Sequence, residues 1–246
     1  MESDPHYLLI DAGNTRIKWG VHDGRTYVAS GAVDTAKAAM LARTWPADLV
    51  AKAAVASNVA GASVQAEIGR ACASRGLSLE VITSVPEQLG VTNGYREPGQ
   101  LGTDRWAALI AAHRAGPGHK LVVNAGTALT IDALTVDGRF LGGLIVPGPA
   151  LMRRSLDRGT AGLRLTEGAF AEFPASTPDA ITSGALQACA GAVERMRDAM
   201  AGRDCTPSQV VLSGGAAAEL AGRLPIPATI RENLVLDGLL LIARSA

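Results

Sequence analysis

A chain of 246 residues can form one large domain or two of about 120 residues each. Its 23 basic and 23 acidic residues cancel, so it lacks the basic excess of a generic nucleic-acid binder. Hydrophobic residues make up 48 %, enough for a sizeable core, yet no apolar run approaches the roughly 18 residues of a membrane span.

The opening segment, MESDPHYLLID (1–11), is acidic and meets polar residues too early for a secretory leader. Leu8–Gly24 then carries an apolar strand into Asp11-Ala12-Gly13-Asn14-Thr15, a second alternating strand and an Asp23-Gly24 hairpin turn. A strand is expected within 53–61, a helix over 63–76 ending at Gly76, and a strand over 77–83. The stretch 103–116 has the pattern of a helix capped by Thr103 and ended by Gly116. Gly116-Pro117-Gly118 is the expected linker. The segment RFLGGLIVPGPALMRRSLDRG then gives a strand, a Pro-Gly-Pro turn and a helix. A long helix is expected over 177–202, with Thr177 as N-cap and Pro178 in its first position. A strand, a glycine turn and a helix fill 208–224, and an apolar helix closes the chain. Strands alternating with helices indicate an α/β protein.

The chain also resembles itself. LLIDAGNTRIKWGVHDGR, from Leu8, parallels LVVNAGTALTIDALTVDGR, from Leu121: an apolar triplet, Asp or Asn, Ala-Gly, Thr, an alternating strand and Asp-Gly-Arg. Two similar domains, 1–116 and 117–246, follow from an ancient duplication; the alternative is that Ala- and Gly-rich strands look alike by chance. The odd number and wide separation of Cys72, Cys189 and Cys205 suit free thiols in a reducing cytoplasm. The four histidines form no HExxH and lie near no cysteine, which speaks against structural zinc.

The first turn is richer than a hairpin requires. Gly13 permits close backbone approach, and the turn's N–H groups with Asn14 and Thr15 can cradle phosphate oxygens. Asp11 can hold Mg²⁺ through water, and Lys18 can reach a terminal phosphate. The plain alternative is a hairpin with a solvated lysine. Asn124-Ala125-Gly126-Thr127-Ala128 repeats the pattern as a second grip on a phosphate chain. In Leu212-Ser213-Gly214-Gly215, two glycines leave room for a flat ring or sugar, or simply make a tight strand-to-helix turn. There is no Walker A loop and no GxGxxG opening a helix after a strand. In Gly102-Thr103-Asp104-Arg105-Trp106, Asp104 falls in a helix's first turn, where the N-terminus favours a carboxylate. It can accept a proton from an attacking hydroxyl, and Arg105 can pair with a substrate carboxylate. First-turn acids are also common stabilisers.

Together, DAGNTRIKWG, GTDRWAALIAA, NAGTALTID, GGLIVPG and LSGG resemble the type III pantothenate kinases of the acetate and sugar kinase/Hsp70/actin superfamily, over nearly the whole chain. The resemblance implies two tandem ribonuclease H-like domains, with ATP in a cleft between them. It implies transfer of the γ-phosphate to pantothenate, the first step of coenzyme A biosynthesis, in a cytoplasmic homodimer built on the second domain. By the same resemblance Asp104 is the general base, and Tyr95, Gly102, Thr103, Arg105 and Thr177 belong to the pantothenate site. Asp11, Gly13, Asn14, Thr15, Lys18, Gly126, Thr127, Ala128, Gly214 and Gly215 belong to ATP, with Mg²⁺ at Asp11. Many members have an acid at the position of Asn124 and need K⁺ or NH₄⁺; an amide is a weaker cation ligand, so this position puts that requirement at issue. Two other readings compete: a sugar or small-acid kinase of the same fold, and a non-catalytic nucleotide-binding regulator. The Tyr95, GTDR and Thr177 set opposes the first, and the retained Asp11, Lys18 and Asp104 oppose the second.

Overall fold

The structure is a computed structural model that describes residues 6–159, 167–224 and 226–245. Met1–Pro5, part of the segment expected to be no leader, lie outside the described residues. The chain divides into two compact units, Met1–Arg114 with Asn233–Ala246, and Ala115–Glu232.

The first unit opens with β1 (Tyr7–Ala12), β2 (Arg16–His22) and β3 (Tyr27–Asp34), an antiparallel meander. Gly24, at φ +94°, makes the β2–β3 turn, and the Asp23 carboxylate accepts from the Arg25 and Thr26 N–H groups. A 3₁₀ turn leads into α1 (Leu41–Thr44), followed by β4 (Ala53–Asn58), α2 (Ala62–Ala73), β5 (Leu79–Val81), the small ribbon β6 (Glu87–Gln88) and β7 (Val91–Thr92), and α3 (Thr103–Arg114). β4 and β5 join in parallel, giving the order β3-β2-β1-β4-β5. Alternation divides the central strands between two faces. Leu8, Ile10, Ala12, Trp19, Ala54 and Ala56 pack with Leu41, Val64, Ile68 and Cys72 of α1 and α2. Burial of both faces makes β1 almost uniformly apolar.

The second unit repeats this plan with β8 (Lys120–Ala125), β9 (Ala128–Leu134), β10 (Phe140–Pro147), α4 (Pro149–Gly159), α5 (Thr177–Ala201), β11 (Gln209–Ser213), α6 (Ala217–Ala221) and β12 (Ala228–Ile230). Its order, β10-β9-β8-β11-β12, has the same antiparallel and parallel pairings as the first sheet. Leu121, Val123, Leu129, Ile131, Val210 and Leu212 form a core with Cys189, Ala190 and Val193 of α5. The chain then returns to the first unit with α7 (Leu234–Ser245).

Three sequence expectations change. The second-domain range 117–246 takes in the terminal helix, but α7 packs on β1, β4 and α3 of the first unit. A Cβ on Gly238 would collide with the Ala107 carbonyl, so glycine permits the close α3–α7 crossing. Thr177 is not the N-cap of α5: Ser176 is, its hydroxyl accepting from Asp179 N–H at 3.3 Å. Thr103 is already the first helical residue of α3, where the Gly102 carbonyl accepts from Trp106 N–H at 3.0 Å and the Thr103 hydroxyl is spent elsewhere. The three cysteines are buried free thiols.

Candidate active site

In the first unit, β1 ends at the Gly13-Asn14-Thr15 turn. Asp11 and Lys18 are direct cross-strand partners beside it. Thr35 fixes the turn, its hydroxyl donating to the Gly13 carbonyl (2.7 Å) and its N–H to the Thr15 carbonyl (3.0 Å). With the carbonyls turned to Thr35, Asn14 and Thr15 are left exposed. Asp11 is also in parallel register with Ser57 on β4, and the buried Ser57 hydroxyl meets that of Thr103 at 2.9 Å. This bond ties the strand beside Asp11 to the first turn of α3, which carries Asp104.

The two carboxylates feel one another. Burial pushes the Asp11 carboxyl up to about 7; the Asp104 charge adds to this rise and Lys18 opposes it. Asp11 Oδ1 is buried with no hydrogen-bond partner among the described residues. Such an atom needs a donor or a cation. A hydrated Mg²⁺ would fit that need, because Mg²⁺ retains waters and is commonly held by one or two carboxylates plus phosphates. A protein cage is not required, and the described residues contain no cluster of three metal-ligating side chains. Burial also raises Asp104, partly offset by the Arg105 N–H and the guanidinium charge. The Arg105 N–H donates to Asp104 Oδ1 at 2.7 Å.

Arg105 is buried, at 6 % exposure, and its Nη1 donates to the Tyr95 hydroxyl at 3.0 Å. The guanidinium carbon lies 5.7 Å from the centre of the Tyr95 ring. The structure therefore brings Asp11, Lys18, Gly102, Thr103 and Asp104 into one neighbourhood and joins Tyr95 to Arg105.

The second unit builds the other turn from Gly126 and Thr127. Gly126 N–H donates to the Ala128 carbonyl at 3.1 Å, and the Thr127 carbonyl accepts from Gly148 N–H at 2.9 Å. The glycine pair lies against this turn: Gly214 has φ +95°, and a Cβ there would come within 2.6 Å of the Ala125 carbonyl and Asn124 Oδ1. Ala216 N–H donates to the Ala125 carbonyl at 3.0 Å. A Cβ at Gly215 would meet nothing in the chain, so packing does not demand glycine there. Asn124, Gly126, Thr127, Gly214 and Gly215 thus share one neighbourhood, with Ala128 following at the start of β9. Thr177 is exposed at the start of α5.

Sequence reasoning missed Thr35, Ser57 and Asn93. Thr35 and Ser57 act through bonds to residues distant in the chain; Asn93 bonds within its own loop and lies in a stretch, VTNGYREP, already singled out.

A family model described as type III pantothenate kinase matches residues 7–199. A type III pantothenate kinase of Nitrosospira multiformis is 45 % identical over 241 residues, 98 % of this chain and 92 % of that one. This chain belongs to the type III pantothenate kinases. Like others of the family it is a kinase that uses ATP. Among solved structures, a Campylobacter jejuni protein described as a conserved Baf family transcriptional activator aligns with TM-score 0.60 at 19 % identity, covering 97 % of this chain and 98 % of that one. A ROK family glucokinase from Streptomyces griseus aligns with TM-score 0.54 at 11 % identity, covering 98 % and 100 %. At such identities the likeness is one of fold, here two tandem ribonuclease H-like domains. Among the described residues no helix is long and apolar enough to cross a membrane.

Proposed function

This type III pantothenate kinase phosphorylates pantothenate with ATP in coenzyme A biosynthesis; we propose that the acceptor is the primary hydroxyl and that Asp104 is the general base. The carrying observation is the placement of Asp104: first turn of α3, largely buried, coupled to Asp11 and adjoining Arg105. Burial moves its pKa upward, toward the range where a carboxylate accepts a proton effectively at neutral pH. The helix N-terminus and the Arg105 N–H keep it ionisable.

Asp104 orients the acceptor hydroxyl and takes its proton as the oxygen bonds to the γ-phosphorus and the bond from that phosphorus to the bridging oxygen breaks, releasing ADP. Arg105, held by Tyr95, pairs with the pantothenate carboxylate, and Gly102, Thr103 and Thr177 complete the acceptor contacts. Lys18 and the N–H groups of the Gly13-Asn14-Thr15 turn stabilise the phosphoryl group in transfer. In the second unit, Gly126, Thr127 and Ala128 are assigned to the phosphates, and Gly214 and Gly215 to adenosine. Asp11 would hold Mg²⁺ through water, and the ion would neutralise charge on the β- and γ-phosphates.

The chain is proposed to act in the cytoplasm as a homodimer through its second unit. Leu144 and Ile145 on the edge strand β10, with Leu151 and Leu156 on α4, are exposed apolar residues that support such an interface. An edge strand left open invites pairing. A buried, tyrosine-held arginine favours an acceptor with a carboxylate over a neutral sugar.

The test is a coupled assay with purified protein, ATP, Mg²⁺ and pantothenate, with glucose as the control acceptor. Phosphopantothenate formation with no sugar phosphorylation is expected. Nucleotide binding without turnover of any acceptor would instead favour a regulator.

A further inference from the structure

We infer that Asn93 is the positioning residue of the acceptor loop, and that through it the enzyme sets its affinity for pantothenate separately from the transfer step. This rests on the reading of Tyr95 and Arg105 as acceptor contacts.

The loop runs from Ser84 to Leu101 and contains only the two-residue strands β6 and β7 and a 3₁₀ turn at Pro98–Gln100. Regular backbone pairing cannot hold so long a segment, so side chains must. Its ends are joined by the buried Ser84 hydroxyl, which donates to the Leu101 carbonyl at 2.8 Å. Its ribbon is pinned to α3 by Trp106 Nε1, which donates to Gln88 Oε1 at 3.0 Å. Tyr95 lies in the part between, and the tie there is Asn93.

Asn93 is buried, at 8 % exposure, and works in three directions. Its Nδ2 donates to the Val85 carbonyl (3.4 Å) and the Pro98 carbonyl (3.2 Å), one on each limb of the loop. Its Oδ1 accepts from the Tyr95 N–H at 3.1 Å. Its own N–H donates to the Pro86 carbonyl at 2.8 Å. Among side chains this short, only a carboxamide offers two donors and an acceptor at once. Aspartate would keep the acceptor for Tyr95 but set a negative charge against two carbonyl oxygens. Alanine would leave all three partners unmatched.

Tyr95 in turn receives Arg105 Nη1. Loosening Asn93 therefore reduces the fraction of molecules in which Tyr95 and Arg105 are arranged for the acceptor. Apparent affinity falls in proportion to that fraction. Asp104 lies on α3, outside the loop, and the phosphate turns have their own ties in Thr35 and Gly148. Transfer and ATP binding should be spared.

The experiment is steady-state kinetics of the full chain with ATP, Mg²⁺ and pantothenate for the parent, Asn93→Ala and Asn93→Asp. Hydrogen exchange at the Tyr95 amide is measured alongside. If the ordered loop falls to about a tenth of molecules, KM for pantothenate rises about tenfold. KM for ATP and kcat stay within about twofold, and Tyr95 exchange accelerates. Should Asn93→Ala fail to fold, Asn93→Ser, which keeps an oxygen near the Tyr95 N–H, takes its place. A folded variant with unchanged KM for pantothenate overturns the inference, as does one whose kcat falls as much as its affinity. A parent that phosphorylates no pantothenate overturns the functional reading instead. In that case, unchanged Tyr95 exchange in Asn93→Ala would separately overturn the tie.

Discussion

The two units carry corresponding turns at the same place in equivalent sheets, yet the turns differ in charge. In the first, β1 passes through Gly13-Asn14-Thr15 to β2, with Asp11 opposite Lys18. In the second, β8 passes through the shorter Gly126-Thr127 to β9, with Asn124 opposite Thr130. The acid has become an amide, the cation a hydroxyl, and one residue has gone from the turn. Both turns take a peptide N–H from the residue after the third strand, Thr35 or Gly148, but only Thr35 adds a side-chain hydroxyl. Duplicated architecture thus need not mean duplicated chemistry. A neutral turn offers peptide N–H groups to an anion, whereas a charged one can also position a metal and a transferring group.

The largest expected effect tests whether the chemistry belongs to the charged unit. Asp104→Asn keeps the size and the first-turn position but loses the base. Its kcat should fall about 10²-fold or more, with a circular dichroism spectrum like the parent's. Turnover near the parental rate would remove Asp104 from the mechanism.

Next comes a substitution that makes the first turn resemble the second. Asp11→Asn should abolish most Mg²⁺-dependent turnover and yet stabilise the fold at neutral and higher pH. The unfolded chain sheds this proton near 3.8, whereas the folded chain keeps it to about 7. Between those values the folded state binds more protons, so stability falls as pH rises, and above about 7 the loss is complete. Burial drives the shift, with the Asp104 charge adding and Lys18 opposing. Asparagine removes the ionisation, so the variant's melting temperature should match the parent's near pH 4 and exceed it at pH 8. A melting difference that does not vary with pH would show that Asp11 carries no such burden in solution. A residue that costs stability in the empty enzyme and answers a metal is the pattern expected of a functional site.

The glycine pair gives a smaller effect, split between its two members. Gly214→Ala forces a Cβ toward the Ala125 carbonyl and Asn124 Oδ1 at φ +95°, and should cost about 1–3 kcal/mol by thermal or urea unfolding. Gly215→Ala meets no chain atoms and should unfold like the parent while raising KM for ATP. Equal effects on stability would mean that both glycines serve the fold alone.

Much of this was legible in the sequence because it rests on local pattern. The Leu8 and Leu121 repeats announced two equivalent sheets, and Asp23-Gly24 and Asp137-Gly138 announced their hairpins, with Gly24 and Gly138 at φ +94° and +84°. The first-turn position of Asp104 follows from a helix start read at Thr103, which holds although Thr103 is the first helical residue and not the cap. What stayed hidden depends on partners far apart in the chain. Nothing local says that the apolar terminal helix returns to the first unit, because its stripe would suit either core. The Thr103 hydroxyl has the chemistry of an N-cap, but buried Ser57 across on β4 claims it. At α5 the cap slipped by one residue because Ser176 and Thr177 offer the same hydroxyl, and only geometry separates them. The raised carboxyls of Asp11 and Asp104 are likewise a product of burial, which no spacing reveals.

The smallest expected effect concerns the amide that distinguishes the second turn. A carboxylate binds a bare K⁺ more strongly than a carboxamide, because it supplies charge as well as lone pairs. With Asn124, turnover should change little when K⁺ replaces a bulky inert cation such as tetramethylammonium at constant ionic strength. Asn124→Asp places a carboxylate in this turn, and its cost depends on what surrounds it. Asn124 Oδ1 lies close to Gly214, so a charge placed there faces peptide groups with no room for a side chain to shield it. A monovalent cation would relieve that charge. The variant should therefore become K⁺-dependent, with low activity in tetramethylammonium and recovery as K⁺ is titrated in. Strong K⁺ activation of the parent would instead mean that the amide and neighbouring carbonyls suffice, and the contrast between the two turns would then be one of affinity rather than of kind.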